Sequence, residues 1–420
     1  MKKKVLGFIR LISAHSVVRN SIVVMGGSMV ANVLAYLYHL IVGRILGPQG
    51  YGELAALLSL FYILNVPSTV VQTILTKFFS ILKATDKLGE AKYLFFRSLW
   101  MILSLSFIGL GAVALSVDAV AGFLHIESKA NFYWLYIIFA LYFVGMVPLS
   151  FLAAYQRFFA QSALTALGMS LRLVFAVFAA PFGVALTLIS NILANIITFI
   201  AYLVPLRFLF KTQARVLTLS RSRTIGYSVP TLVTTLAIAA LYNQDVLLVK
   251  HFFSPTQAGI YSSLSVLGKV IFYASSAITF VLFPVISERK ELKHGHTRLV
   301  GAALLFVAGL SSILTLFYFL FPTFVVRVLY GSSFDEAIPY VGLFGVFISL
   351  FTLDNILFSI CLAIEKVKVW MIGLTAAIVQ FALIWTYHTS LQTVIIANCI
   401  VAGVLLIALL VYYAYARESD

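Results

Sequence analysis

"VGRILGPQGYGELAALLSL", residues 42–60, has a near copy later in the chain, "VKHFFSPTQAGIYSSLSVL", residues 249–267. At this shift of 207 positions Pro48 falls on Pro255, Gly52 on Gly259, Leu57 on Leu264 and Leu60 on Leu267, and Ser80 further on falls on Ser287. Each copy interrupts a long apolar run and opens another. The shift is about half of the 420 residues. A weaker echo, at a shift of 208, sets "LSFLAAYQRFFAQS" on "LFSICLAIEKVKVW" and brings Arg157 onto Glu365. What these stretches punctuate therefore decides the fold.

The surrounding chain is 62% hydrophobic and only 10% charged, with a mean hydropathy of +1.05. Soluble domains carry roughly 25% charged residues. No water-soluble core can hide this much apolar side chain, so the solvent is largely lipid. Apolar segments long enough to cross a bilayer fall near 21–43, 53–76, 94–117, 132–153, 161–181 and 184–206, then near 226–249, 257–283, 299–322, 337–362, 368–387 and 391–415. Strands of a membrane barrel would be about half as long and would alternate polar with apolar. These segments do not alternate, which predicts helices.

The two copies join the first span to the second and the seventh to the eighth. With six spans in each half, both halves insert the same way up, and their pseudo-twofold axis runs along the membrane normal. The expected fold is an all-α integral membrane protein of 12 transmembrane helices in two six-helix bundles, residues 21–209 and 225–420, joined by a basic cytoplasmic linker at 210–224. Residues 1–20 hold Val5, Leu6, Phe8, Ile9, Leu11 and Ile12 among basic residues, the pattern of an in-plane amphipathic helix at the cytoplasmic surface. Arg10 breaks the apolar run and no small-residue cleavage site follows, so a removed signal peptide is not expected.

Orientation follows from lysine and arginine in the short loops. Of the 29 such residues, Arg172 and Lys269 lie within spans. Arg44, Lys129, Lys250 and Arg327 fall at one set of span ends, and all others fall at the alternate set. Both termini are therefore expected in the cytoplasm. The same asymmetry accounts for the net charge of +15: it reads as topology and anionic headgroups, not nucleic-acid binding. Cys361 and Cys399 sit in apolar runs, which leaves neither a disulfide framework nor a zinc site. His39, His294 and His296 suggest no metal geometry, and no cofactor is expected.

"RNSIVVMGGSMVANVLAYLYHLIVGRILGPQGYGELAALLS", residues 19–59, resembles the start of Wzx-type polysaccharide-biosynthesis flippases, a family of the MOP (multidrug/oligosaccharidyl-lipid/polysaccharide) exporter superfamily. Arg44, Leu46, Gly47, Pro48, Gly50, Tyr51 and Gly52 match the family's Arg-x-Leu-Gly-Pro-x-Gly-Tyr-Gly turn. "AYQRFFAQSALTALGMSLRLVFA", 154–176, is similar to its Gln-Arg-Phe loop and Leu-Arg-Leu helix. "NQDVLLVKHFFSPTQAGIYSSLS", 243–265, is similar to its seventh-span signature, and "LFPVIS", 282–287, to the close of its eighth span. The resemblance implies a MATE/MOP-like fold in the cytoplasmic membrane and translocation of polyprenyl-diphosphate-linked oligosaccharide by alternating access, coupled to an ion. It implies as partners this lipid-linked substrate, membrane lipids, and a polysaccharide polymerase and glycosyltransferases, with the transporter itself a monomer.

Such a substrate has a polar glycan, an anionic diphosphate and a long apolar tail. Arginine suits the diphosphate because its planar donors match phosphate oxygens in pairs. Charge within a span is costly and is a functional candidate by default. Arg172, Lys269, Arg44 and Arg19 are thus the candidates for the diphosphate and the cavity mouth. Each has a structural alternative: pairing of Arg172 with Asp354 or a helix end, a tie between Lys269 and Asp245, and interface anchoring for Arg19 and Arg44. Asp245 and Asp354 are candidates for ion coupling. Asn243, Gln244, Gln72 and Gln380 are candidates for sugar contacts, against the alternative of bonds between helices. An enzyme is not expected, because no glycine-rich phosphate loop or nucleophile constellation occurs and the longest outer loop offers only Asp118, His125 and Glu127. A drug or small-metabolite exporter on the same fold and a lipid II flippase remain alternatives, ahead of a membrane glycosyltransferase or ligase.

Overall fold

The structure, a computed structural model, describes residues 16–216, 225–291, 297–364, 366 and 368–418, with side chains for 24, 26–209, 211–216, 232–275, 298–364, 366 and 368–415. Most of the expected surface helix at 1–20, much of the linker, Glu365, His294 and His296, and the side chains of Arg19 and Ser287 lie outside the described residues. The long helices are α1 (Ser16–Leu64), α2 (Val66–Ala84), α3 (Leu88–Leu124), α4 (Ala130–Ala154), α5 (Phe158–Ala179), α6 (Val184–Leu203), α7 (Ile225–Phe252), α8 (Pro255–Glu291), α9 (Thr297–Leu320), α10 (Val341–Ala363), α11 (Val369–Thr386) and α12 (Leu391–Glu418). Each apolar segment expected to span falls on helix, and no strand occurs among the described residues. Ten helical stretches among them are long and apolar enough to cross a membrane. Gly26–Leu64 counts as one of these, although it holds the first expected span and the start of the second.

The chain turns the first corner at a single residue. Gly47 adopts φ 67° and ψ 178°, while the residues on either side of it stay helical. The positive φ favours a residue without Cβ. Pro48 then opens the next helical limb, where a missing N–H costs nothing. The sequence suggests that Gly50 and Gly52 form the turn and that Glu53 begins the second helix; instead both glycines are already helical. The second break, at Asn65, precedes Pro67, which has no N–H with which to continue the ladder.

Gly52 serves another purpose. A Cβ there would lie 2.6 Å from the amide nitrogen of Gly259 and 2.9 Å from the carbonyl oxygen of Pro255. A Cβ on Gly259 would run into the carbonyl of Pro48. The two copies of the repeated corner therefore meet backbone to backbone, and the positions that correspond in the repeat are the ones in contact. Close approach through small residues is how helices gain packing energy where the hydrophobic effect supplies none.

The described residues group into two compact units. One comprises those within Met1–His39, Ser68–Asp118 and Ser128–Arg221; the other comprises those within Leu40–Pro67, Ala119–Glu127 and Ser222–Asp420. In the first, α6 packs on α4 and α5. Its core gathers Phe79, Phe95 and Phe151, with the Phe79 and Phe151 rings edge to face at 5.0 Å. In the second, α10 packs against α8, α9 and α12, and α11 against α7 and α12. Tyr51 there meets Tyr330 and Phe334 beside a short helix, Pro322–Leu329. Arg44 donates to the carbonyls of Arg327 and Val328 at the end of that short helix. Arg327 in turn grips Asp335 through Nε and Nη2 at 3.0 and 2.7 Å.

Replacing Gly259 with alanine is expected to destabilise the protein by about 1–3 kcal/mol, as overpacking does, because the methyl group meets a backbone carbonyl that cannot rotate away. Gly403→Ala, which meets nothing within 4 Å, is the control. Thermal unfolding of both variants in the same detergent checks this: a lower midpoint for Gly259→Ala only.

Candidate functional site

In the first unit the polar groups converge on α5. Arg172 lies about 21 Å along the helix axis from Phe158, at 1.5 Å per residue. It borders a cavity of about 110 Å³ that Thr165, Asn195, Thr198 and Tyr202 also line. Its guanidinium carbon sits 5.5 Å from the centroid of the Tyr38 ring, within range of a cation–π attraction. Asn191, fully buried on α6, donates to the Tyr38 hydroxyl at 2.8 Å. Three buried polar atoms here have no hydrogen-bond partner: Arg172 Nε, Asn195 Nδ2 and Asn191 Oδ1. A cation with a spare donor, beside amides with a spare donor and a spare acceptor, can receive an anionic, hydroxylated group. Gln72 is half-buried on α2, and its carbonyl accepts from Ser150 at 3.2 Å.

The second unit holds a continuous polar network. Asp245 on α7 accepts from the Tyr261 hydroxyl at 2.6 Å, from Asn398 Nδ2 at 3.1 Å and from the Val246 amide at 2.9 Å. Asn398 also donates to the Tyr261 hydroxyl at 2.8 Å. Gln380 on α11 donates to Asn398 Oδ1 at 2.8 Å and to the Leu241 carbonyl at 3.1 Å. Gln244 closes the chain by donating to Gln380 Oε1 at 2.5 Å. Four helices are thus tied through one carboxylate, and each member satisfies the next. Asn243 takes no part in it, since its amide donates to the Ala239 carbonyl of its own helix at 2.8 Å.

No hydrogen bond or salt bridge joins the other charges to this network among the described residues. Lys269 is buried, with Nζ 5.4 Å from the Tyr62 ring centroid, and no salt bridge joins it to Asp245 among the described residues. Asp354 on α10 is completely buried and neither carboxyl oxygen has a hydrogen-bond partner. Arg44 is engaged with the short helix at the corner. So the structure joins Asp245, Gln244 and Gln380, gathers Arg172 with Asn191 and Asn195, and leaves Lys269, Arg44 and Asp354 in separate surroundings. Tyr38, Tyr261 and Asn398 went unassigned in the sequence. Asn398 had a signal, as a lone amide in the apolar run "TVIIANCIVAGV". Tyr261 had another, since it lies inside the second copy of the repeated corner motif. Tyr38 had none, because tyrosine is common in these spans.

Residues 17–290 match the model of a family described as polysaccharide biosynthesis protein. No curated protein sequence matches the chain significantly. Among solved structures, the chain is similar to a lipid II flippase, MurJ, in an inward closed conformation, with a TM-score of 0.73 at 12% identity over 94% of this chain and 87% of that one. It is similar to an inward-facing MATE multidrug resistance transporter of the MOP superfamily, with a TM-score of 0.69 at 14% identity over 91% and 96%. It also resembles the Vibrio cholerae MATE transporter VcmN, with a TM-score of 0.64 at 15% identity over 96% of each chain. At these identities the likeness establishes the fold.

Asn398→Leu is expected to cost about 1–3 kcal/mol, because it takes one buried partner each from the Asp245 carboxylate, the Tyr261 hydroxyl and the Gln380 amide. Ile400→Leu, at a lipid-facing position on the same helix, is expected to stay within about 0.5 kcal/mol. Unfolding midpoints in detergent separate the two.

Proposed function

The chain belongs to the polysaccharide biosynthesis protein family, and from that premise we propose that it is a flippase that carries polyprenyl-diphosphate-linked oligosaccharide across the cytoplasmic membrane. The observation that carries this reading is Arg172: a cation inside a membrane bundle, at a cavity that Thr165, Asn195 and Thr198 also border, with a donor left over. Burying an unpaired donor costs roughly 1–3 kcal/mol, a cost that a transported diphosphate would offset on arrival. Asn191 and Asn195 add amide groups suited to sugar hydroxyls. An intramembrane cation at the same place disfavours the organic cations that a drug exporter handles.

Ion coupling falls to the two buried acids. Asp354 has two carboxyl oxygens free to take up and release a proton. Asp245 holds four helices together, so a change in its occupancy shifts all of them at once. Both termini lie in the cytoplasm on this reading, and the monomer works beside the polymerase and glycosyltransferases that consume and supply its substrate.

Protein reconstituted in liposomes should move lipid-linked oligosaccharide to the lectin-accessible face. Efflux of cationic dyes with no movement of any lipid-linked sugar would overturn the proposal, and selective movement of lipid II would narrow it to the other flippase reading. Arg172→Ala should reduce the rate at least about 100-fold, the scale of losing a charged contact worth ~3 kcal/mol, with Arg172→Lys intermediate. If Asp354 carries the coupling proton, Asp354→Asn will transport at a rate that no longer rises with an imposed proton gradient. An unchanged gradient response in that variant removes Asp354 from the mechanism.

A further inference from the structure

A second cavity, in the other unit, is not polar. This slot of about 370 Å³ runs between α11 and α12, lined by Thr375, Ala376, Val379, Leu383, Val404 and Ala408 above the buried Val401 and Leu405. On α11 its lining runs from Met371 to Leu383, about 18 Å at 1.5 Å per residue, more than half of a hydrocarbon core about 30 Å thick. Thr375 is the single polar lining residue. Val404 is 63% exposed and Ile400 55%, so the slot opens sideways towards lipid. Its length along the helices suits a linear apolar chain.

Two features bear on what occupies it. The end at Met371 and Ala408 lies at the side where the chain's cations gather: Lys368 is exposed one turn before Met371, and Lys366 precedes it. The positive end of the α11 dipole lies there too. An apolar slot with an exposed lysine one turn before its end complements an anionic headgroup on a single long tail. The same two helices carry Gln380 and Asn398, which hold Asp245. A tail seated in the slot therefore presses on the helices that carry the polar network.

We propose that this slot binds the polyprenyl tail of the substrate, with Lys368 engaging its diphosphate on the cytoplasmic side. The proposal rests on the flippase reading but adds the place where the tail resides while the head crosses. In a two-chain phospholipid one tail would be left outside, so the slot is assigned to the single-chain polyprenyl lipid.

The test is a titration of the purified full-length chain with sugar-free polyprenyl diphosphate, read by native mass spectrometry. Ala376→Phe puts a ring into the slot and should weaken binding about ten-fold. Val404→Trp, at a lipid-exposed position that leaves the fold alone, should do the same. Lys368→Glu should weaken it about five-fold or more, and Ile407→Trp, exposed on α12 but outside the slot, should stay within about two-fold. Wild-type binding in both slot variants overturns the proposal, as does displacement by an equal amount of phosphatidylglycerol. Sugar-free lipid needs no transport to bind. Lost translocation of the oligosaccharide by a wild-type protein that still binds the tail counts against the flippase reading alone, while full translocation by slot variants that no longer bind counts against the slot alone.

Discussion

Lipid offers a buried polar atom nothing to bond to, so every donor and acceptor inside the bundle must find its partner within the protein. Asp245 shows how thoroughly this can be met: a hydroxyl, an amide side chain and a backbone N–H share its two oxygens, and each of those groups is held in turn. Against that background the exceptions carry information. Arg172 Nε, Asn195 Nδ2 and both oxygens of Asp354 are buried and unmatched. On the flippase reading proposed above, a substrate or a transported ion supplies what is missing.

The same solvent removes the hydrophobic effect as a force between helices and leaves close packing in its place. Gly52 and Gly259 show the consequence. Their lack of side chains lets two corners of the chain touch through backbone atoms, and the contact joins the duplicated copies of one motif. Duplication then does more than repeat a corner: it supplies two like surfaces that can lie against each other. The fold shared with MATE transporters and with the lipid II flippase is consistent with this arrangement at very low sequence identity. It needs smallness at a few positions and apolarity at most others, and many sequences meet both conditions.

The proposed substrate, with a charged, hydroxylated head and a greasy tail, would make opposite demands on one protein. The structure offers two different places for them: a small cavity beside Arg172 and a larger apolar slot between α11 and α12. The two helices that line the slot also carry Gln380 and Asn398 of the polar network, which on that proposal gives tail and buried carboxylate a common mechanical element. Lys269 and Arg44, by contrast, lie against the Tyr62 ring and a helix end.

Hydropathy and repeat spacing were enough to place the helices and the duplicated corner, because spanning length and apolarity are local properties that a bilayer imposes on any chain. They were enough, too, to single out Arg172, Asp245 and Asp354, since a charge in an apolar run is conspicuous in one dimension. They misread Gly52, taken for a turn residue because glycine usually marks one, and passed over Asn398 and Tyr38. Which helix face meets which neighbour depends on rotation, register and kinks such as that at Gly47, and nothing in the apolar pattern of a single span records them. Tertiary structure alone decided that Gly52 touches Gly259, that Arg44 caps a helix distant in sequence, and that Asp245 is shared by Tyr261 and Asn398 while Asp354 is left without a partner.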